Sequence, residues 1–169
     1  MDEYVKLAKD TIDTYIREGR KITLPEGLPV EMTTKKAGAF VSIHKNGNLR
    51  GCIGTILSTT DCIGEEIILN AISASTADPR FPAITEEELA ELDISVDVLG
   101  EPEDIASPAE LDVKRYGVIV TKGFRRGLLL PDLEGVDNVE DQIAISKMKA
   151  GIGQEEEVKL QRFEVIRHH

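Results

Sequence analysis

The stretch Leu49-Arg50-Gly51-Cys52-Ile53-Gly54-Thr55 places a thiol between two glycines, directly after the turn signal Asn46-Gly47. The run from Gly38 to Lys45 before the turn reads as a strand. Asn-Gly favours a tight hairpin because both residues tolerate positive φ. The stretch is therefore expected to be the return strand of a β-hairpin. Glycine inside a strand adds chain entropy to the unfolded state and brings no side chain to pack. Gly51 and Gly54 thus predict either a bulge or a backbone left open to an approaching group. Side-chain alternation places Arg50 and Cys52 on one face, about 7 Å apart along the strand.

The turn sets the register, and a slip of one residue sends every side chain to the opposite face. A two-residue turn pairs Lys45 with Asn48, puts Val41 opposite Cys52 and Ile43 opposite Arg50, and sets His44 opposite Leu49 on the other face. A three-residue loop, Asn46 to Asn48, pairs Ser42 with Cys52 and His44 with Arg50. Both registers remain open on the sequence.

Elsewhere, Asp2 to Gly19 carries Val5, Ala8, Ile12 and Tyr15 at helical spacing, with Gly19 as a stop. Arg20 to Lys36, with Pro25, Gly27 and Pro29, reads as a loop. Thr60 or Asp61 is expected to cap a second helix running to about Thr76, with Ile63, Ile67, Ala71 and Ala74 as its apolar stripe. Thr85 and Glu88 have capping-box spacing. Leu92 to Leu99 alternates as a half-buried strand, with Asp93, Ser95 and Asp97 on its polar face. Glu101 to Ser107, with Pro102 inside it and Pro108 after it, reads as a linker. Tyr116 to Lys122 and Gly127 to Leu130 read as strands joined by a turn at Gly123 to Arg126. Asn138 caps a helix that Gly151 ends, and Glu155 to Arg167 reads as one final strand. No internal repeat is visible. Hairpins and isolated strands mixed with helices predict an α+β fold with antiparallel pairing.

The 169 residues carry a net charge of −11. That balance opposes nucleic-acid binding, which needs lysine and arginine against phosphates. Lys35-Lys36 and Arg125-Arg126 are isolated basic pairs and read as solvated turn residues. No apolar run approaches the ~18 residues of a membrane span, and the charged N-terminus carries no secretory signal. A cytoplasmic location with reduced thiols is expected. Cys52 and Cys62 form no metal-ligand pattern. With no P-loop, GxGxxG, HExxH or CxxC motif, neither metal nor cofactor is implied. His168-His169 have the form of an affinity-tag remnant and are set aside.

LRGCIG resembles the signature hexapeptide of the AMMECR family, also called AmmeMemoRadiSam system protein A. Asp78-Pro79-Arg80-Phe81-Pro82, Gly127-Leu128-Leu129-Leu130-Pro131 and Lys149-Ala150-Gly151 resemble further family stretches, in the family's order. The resemblance implies two unequal subdomains, each an antiparallel β-sheet with flanking helices, with the signature facing a cleft between them. The linker at Pro102 and Pro108 maps the larger subdomain to about 1–100 plus 154–169 and the smaller to about 101–153. The resemblance implies no established reaction. The family's frequent gene association with Memo-like and radical S-adenosylmethionine proteins implies a shared pathway, with modification of a macromolecule as its expected outcome. Two departures stand out. Asp132-Leu133 replace the common Gln-Val, and Lys147 stands where a second cysteine is frequent. Redox chemistry that uses that cysteine is not expected here.

Cys52 is the candidate nucleophile and Arg50 the candidate stabiliser of its thiolate, since a neighbouring guanidinium lowers a thiol pKa. The structural alternative for Cys52 is a small buried filler. His44, the one histidine away from the terminus, shares the thiol's face only in the three-residue register. Leu49, Gly51, Ile53 and Gly54 of the signature are candidate substrate-binding positions. Asp78 could orient a substrate and Arg80 could bind a carboxylate, with Phe81 beside them. Alternatively, Asp78 and Arg80 pair with each other and Phe81 anchors the loop. Lys149 joins the site candidates through its family stretch, and its helix-terminal place is itself dipole-favourable. A protein substrate is the expected partner. An enzyme and a non-catalytic protein-binding module are the two functional readings.

Overall fold

The structure, a computed structural model, describes residues 1–169. It holds two four-stranded antiparallel sheets with flanking helices. The chain divides into two compact units, Met1–Leu99 with Ile166–His169, and Gly100–Val165.

In the first unit, α1 (Glu3–Glu18) starts where the Asp2 carboxylate accepts the N–H groups of Tyr4 and Val5 and stops at Gly19, which takes a φ of 66°. Segment 20–36, expected as a loop, contains a short helix α2 (Val30–Thr34), whose Met32 drops fully into the core. Strands β1 (Ala39–Lys45) and β2 (Asn48–Thr55) form the expected hairpin. Helix α3 (Ile63–Thr76) buries Ile63, Ile67, Ala71 and Ala74 as its stripe predicts. Its cap is Cys62, with no side-chain capping bond, and neither Thr60 nor Asp61. The threonine is used otherwise. Fully buried Glu66 accepts the N–H groups of Thr59 and Thr60 and the hydroxyls of Thr55, Thr59 and Thr60. Burial raises the Glu66 pKa, but these donors together outweigh it and the net shift is downward. A 3-10 turn (Glu86–Glu91) with the Thr85–Glu88 capping box leads into β3 (Leu92–Leu99). The sheet order is β2-β1-β3-β8, with β8 at Val165–His168.

The second unit corrects three expectations. The Glu101–Ser107 linker contains strand β4 (Glu103–Ile105). The turn between β5 (Gly117–Lys122) and β6 (Arg125–Leu129) is only Gly123-Phe124, shorter than expected. The single final strand is two, because Glu164 separates β7 (Lys159–Phe163) from β8. β7 pairs with β4 and β5, so residues 154–165 lie with the second unit, not with the larger one. The alternation of Leu160 to Ile166 is continuous in sequence. Partner identity decides where a strand ends, and here the chain changes sheets. Helix α4 (Val139–Ala150) is capped by Asn138 and stopped by Gly151 as expected. The sheet order is β4-β7-β5-β6.

The two units repeat one topology that the sequence does not display. In each, a hairpin is followed by a helix and then by a strand that pairs antiparallel with the hairpin's first strand: β1-β2-α3-β3 and β5-β6-α4-β7. Registers correspond as well. Gly51 pairs with Ile43, which pairs with Ile94, and Gly127 pairs with Val120, which pairs with Leu160. Both glycines lie directly beneath their helix. A Cβ on Gly51 would overlap the Ala74 carbonyl oxygen, and one on Gly127 the Ser146 carbonyl oxygen. The helix backbone therefore packs on the strand at a distance that only glycine permits.

Gly51→Ala and Gly127→Ala should each lower stability by about 1–3 kcal/mol, since a carbonyl of a packed helix has little room to move. Gly100→Ala is the control, because its methyl would meet only the Glu164 carbonyl, at 3.4 Å. Urea unfolding with intact secondary structure before the transition measures all three. Unchanged midpoints at Gly51 and Gly127 would remove the close-approach account.

Candidate functional site

The hairpin register combines both sequence alternatives. Asn46 and Gly47 take φ of 52° and 82° and make a two-residue turn, with Lys45 opposite Asn48 and His44 opposite Leu49. A bulge then inserts Arg50, and beyond it Ile43 faces Gly51 and Ser42 faces Cys52. A bulge adds one residue to one strand, so the register changes inside the hairpin. Cys52, Ser42 and Ser95 consequently form one cross-strand row. The Ser42 Oγ lies 3.3 Å from the Cys52 Sγ, and the thiol is half-buried. Val41 and Ile43, on the opposite face of β1, are fully buried in the helix-covered core. His44 lies on the face of Ser42, opposite Leu49 and Asp93.

The Arg50 guanidinium is engaged by the 3-10 turn and the residues before it. Its Nε and Nη2 make a two-point contact with Glu88, both at 3.1 Å. Its Nη1 donates to the Pro82 carbonyl at 2.8 Å and its Nη2 also to the Ala83 carbonyl at 3.3 Å. The bulge lifts Arg50 out of simple alternation and delivers it to the 3-10 turn. Glu88 is pulled down to about 2 by Arg50 first, then by the Thr85 N–H against burial, with Lys45 assisting. Glu88 was expected only as a capping residue; its second role depends on a contact 38 residues distant in sequence.

Asp78 and Arg80 pair with each other, as the structural alternative has it, and also grip the signature. β2 is an edge strand, and the Cys52 N–H points away from β1. The Asp78 carboxylate accepts it at 3.0 Å, and the Arg80 Nη2 reaches the Cys52 carbonyl at 3.5 Å. Asp78 is 4% exposed and paired to Arg80 at 2.7 Å. Arg80 holds the Asp78 carboxyl well below the usual range, against burial, with the Cys52 and Arg80 N–H groups adding to the effect. Arg80 is itself raised, by Asp78 first, against burial, and in smallest part by charge on Cys52. Arg80 thus stands beside Cys52, with a side chain that is 53% exposed and lies over the Phe81 ring. Of the other candidates, Gly51 sits under α3, the Gly54 position is filled by the Phe40 ring, Ile53 packs on the core, and Leu49 is exposed. Lys149 belongs to the second unit, where its Nζ donates to the Leu128 carbonyl at 3.2 Å. No group of three or more His, Cys, Asp or Glu side chains is arranged to hold a metal ion. No helix is long and apolar enough to cross a membrane.

The family model described as AMMECR1 matches residues 5–168. The chain belongs to the AMMECR1 family. A Thermotoga maritima protein is 51% identical over 167 residues, covering 98% of this chain and 96% of that one. A Clostridium acetobutylicum protein is 51% identical over 99% of this chain, which spans only 36% of that larger protein. Among solved structures, the uncharacterized protein PH0010 from Pyrococcus horikoshii matches with a TM-score of 0.90 at 33% identity, over 97% of this chain and 88% of that one.

Glu88 gives the site a pH signature. A depressed carboxyl stabilises the fold at pH above its unfolded value of 4.5 and loses that contribution as pH falls through about 2. The melting temperature of wild type should fall over that window. Glu88→Gln should melt lower at neutral pH, by several degrees, and fall less between pH 4.5 and 2. Parallel curves for the two proteins would show that Glu88 contributes no such linkage.

Proposed function

We propose that the Cys52–Asp78–Arg80 constellation is the functional site, where a protein substrate is bound and modified through the thiol. The observation that carries this is Arg80. It is held at the signature's backbone by a buried carboxylate, yet half of its side chain faces solvent beside a half-buried thiol. An arginine used only as a structural clasp has no need of that exposure. A guanidinium beside a thiol raises the thiolate fraction and can receive a carboxylate or phosphate on an incoming chain. Ser42 and Ser95 extend the row with hydroxyls able to donate to a bound polar group. The family's association with Memo-like and radical S-adenosylmethionine proteins agrees with a macromolecular substrate in a shared cytoplasmic pathway, where thiols stay reduced. Nucleic acid is disfavoured as that substrate by the net charge of −11.

The second reading is a protein-binding module without chemistry. It is favoured by how much of the signature maintains the fold: Arg50 is committed to Glu88 and two carbonyls, and Gly51 to helix packing. The two readings differ at Cys52→Ser. A nucleophile's loss abolishes function with the fold intact, whereas a binding face tolerates the near-isosteric change.

Iodoacetamide alkylation against pH, read separately for Cys52 and Cys62 by peptide mass spectrometry, tests the site. Cys52 should react at lower pH than buried Cys62. Arg80→Met should move the Cys52 midpoint upward by at least about half a pH unit, and Arg50→Met by less. If Cys52 is unreactive until the protein unfolds, the thiol is packing and the nucleophile assignment fails.

A further inference from the structure

We propose that the tip of the β5–β6 hairpin docks an acidic segment of a partner protein, with Arg126 receiving a carboxylate and Phe124 an apolar side chain next to it. The reading is independent of the thiol site. Phe124 is 98% exposed, the largest exposure of any apolar side chain in the chain. The turn that presents it is tight. Gly123 takes a φ of 62° at the first central position, as a type II′ hairpin turn requires, and the second position carries the ring outward. An exposed phenylalanine at a turn contributes nothing to the core, and aromatics with arginine are enriched where interfaces concentrate binding energy.

The first unit shows one way an arginine ahead of a strand glycine is satisfied, there through the bulge at Arg50, whereas Arg126 stands in regular register opposite Thr121. In the first unit the arginine that precedes the strand glycine, Arg50, is filled by Glu88, and the next residue of that acidic turn, Leu89, is buried. In the second unit the arginine that precedes the strand glycine is Arg126, ahead of Gly127. It is exposed, and no carboxylate of its own chain meets it. The nearest acidic run does not supply one, because Glu156 is bound by Arg125 at 3.2 Å and by the Gly153 N–H. Arg126 also shares a cross-strand row with Thr121 and Lys159, which adds a second cation on that face. Lys159 meets only the largely exposed Asp104, at 3.4 Å.

Charge selects the occupant. Lys122 to Arg126 is a cationic run with no acid inside it, on a chain of net charge −11. A second copy of the chain, or an anionic bilayer, meets the repulsion of that whole charge. A short acidic segment brings few charges and can meet the hairpin tip alone. The chemistry expected of it is that of the turn that fills Arg50: glutamates followed by a leucine.

The test uses the full chain and a fluorescein-labelled synthetic peptide of the sequence Ile84–Glu91, ITEEELAE, with a second peptide in which every Glu is Gln. Anisotropy at low salt should give a dissociation constant of roughly 10–100 μM for the acidic peptide. Arg126→Met and Phe124→Ser should each weaken it at least about fivefold, as should the Gln peptide. Lys114→Met, an exposed cation elsewhere in the same unit, should leave it unchanged. Both hairpin variants replace exposed side chains, and unchanged melting curves confirm their folds. Equal affinity in all variants, or no binding at about 1 mM peptide, overturns the proposal. So does a concentration-dependent dimer in sedimentation velocity that Phe124→Ser abolishes, which assigns the tip to a second copy. Binding to phosphatidylserine vesicles lost in Phe124→Ser overturns it likewise, in favour of a membrane.

Discussion

The outward-facing N–H of Cys52 is a donor on the open edge of a sheet. Such groups must be satisfied or they recruit another strand. Asp78 meets this one with a buried carboxylate that Arg80 keeps charged, and Arg80 turns back to the carbonyl of the same residue. One ion pair thus stands in for a neighbouring strand at one position. Its effect extends beyond the edge. It fixes the segment that leaves α3, and that segment leads to the turn from which Glu88 reaches Arg50. The stretches around Asp78 and Cys52 form a single structural element, separated by 26 residues of chain.

The second unit has a side-chain contact on its own edge strand, to a carbonyl and not to an N–H group. Lys149 donates to the carbonyl of Leu128 on edge strand β6, and Gly127 lies under α4 as Gly51 lies under α3. Family stretches that look unrelated in sequence therefore fall into two corresponding pairs. The pairs differ in the row that follows each glycine. Cys52, Ser42 and Ser95 occupy it in the first unit, and Leu128, Ile119 and Gln161 in the second. A row of thiol and hydroxyls can take part in polar chemistry as a largely apolar row cannot, and this difference supports the proposal of a site in the first unit.

Glu66 shows how a buried charge is retained without a cation. Its carboxylate collects N–H and hydroxyl donors from Thr55 to Thr60 and ties the loop after β2 to the first turns of α3. Removing it would leave several buried donors unpaired at once.

Local chemistry was legible in the sequence. Asp2 and Gly19 bound α1, Asn138 and Gly151 bound α4, Asn46-Gly47 turns the hairpin, and the alternation of Leu92 to Leu99 gives β3 with its polar face. Caps, turns and side-chain periodicity act over a few residues, so residue types suffice to state them. The motif also marked Gly51 as a position of close approach, although not what approaches. Tertiary structure decided the rest. It inserted Arg50 as a bulge and changed the register, so that Ser42, not Val41, faces the thiol. It turned Arg50 to Glu88 and Arg80 to the Cys52 carbonyl, and it divided one alternating run between two sheets at Glu164. Each of these depends on which distant backbone groups need a partner, and that need arises only when the strands and helices have already been brought together.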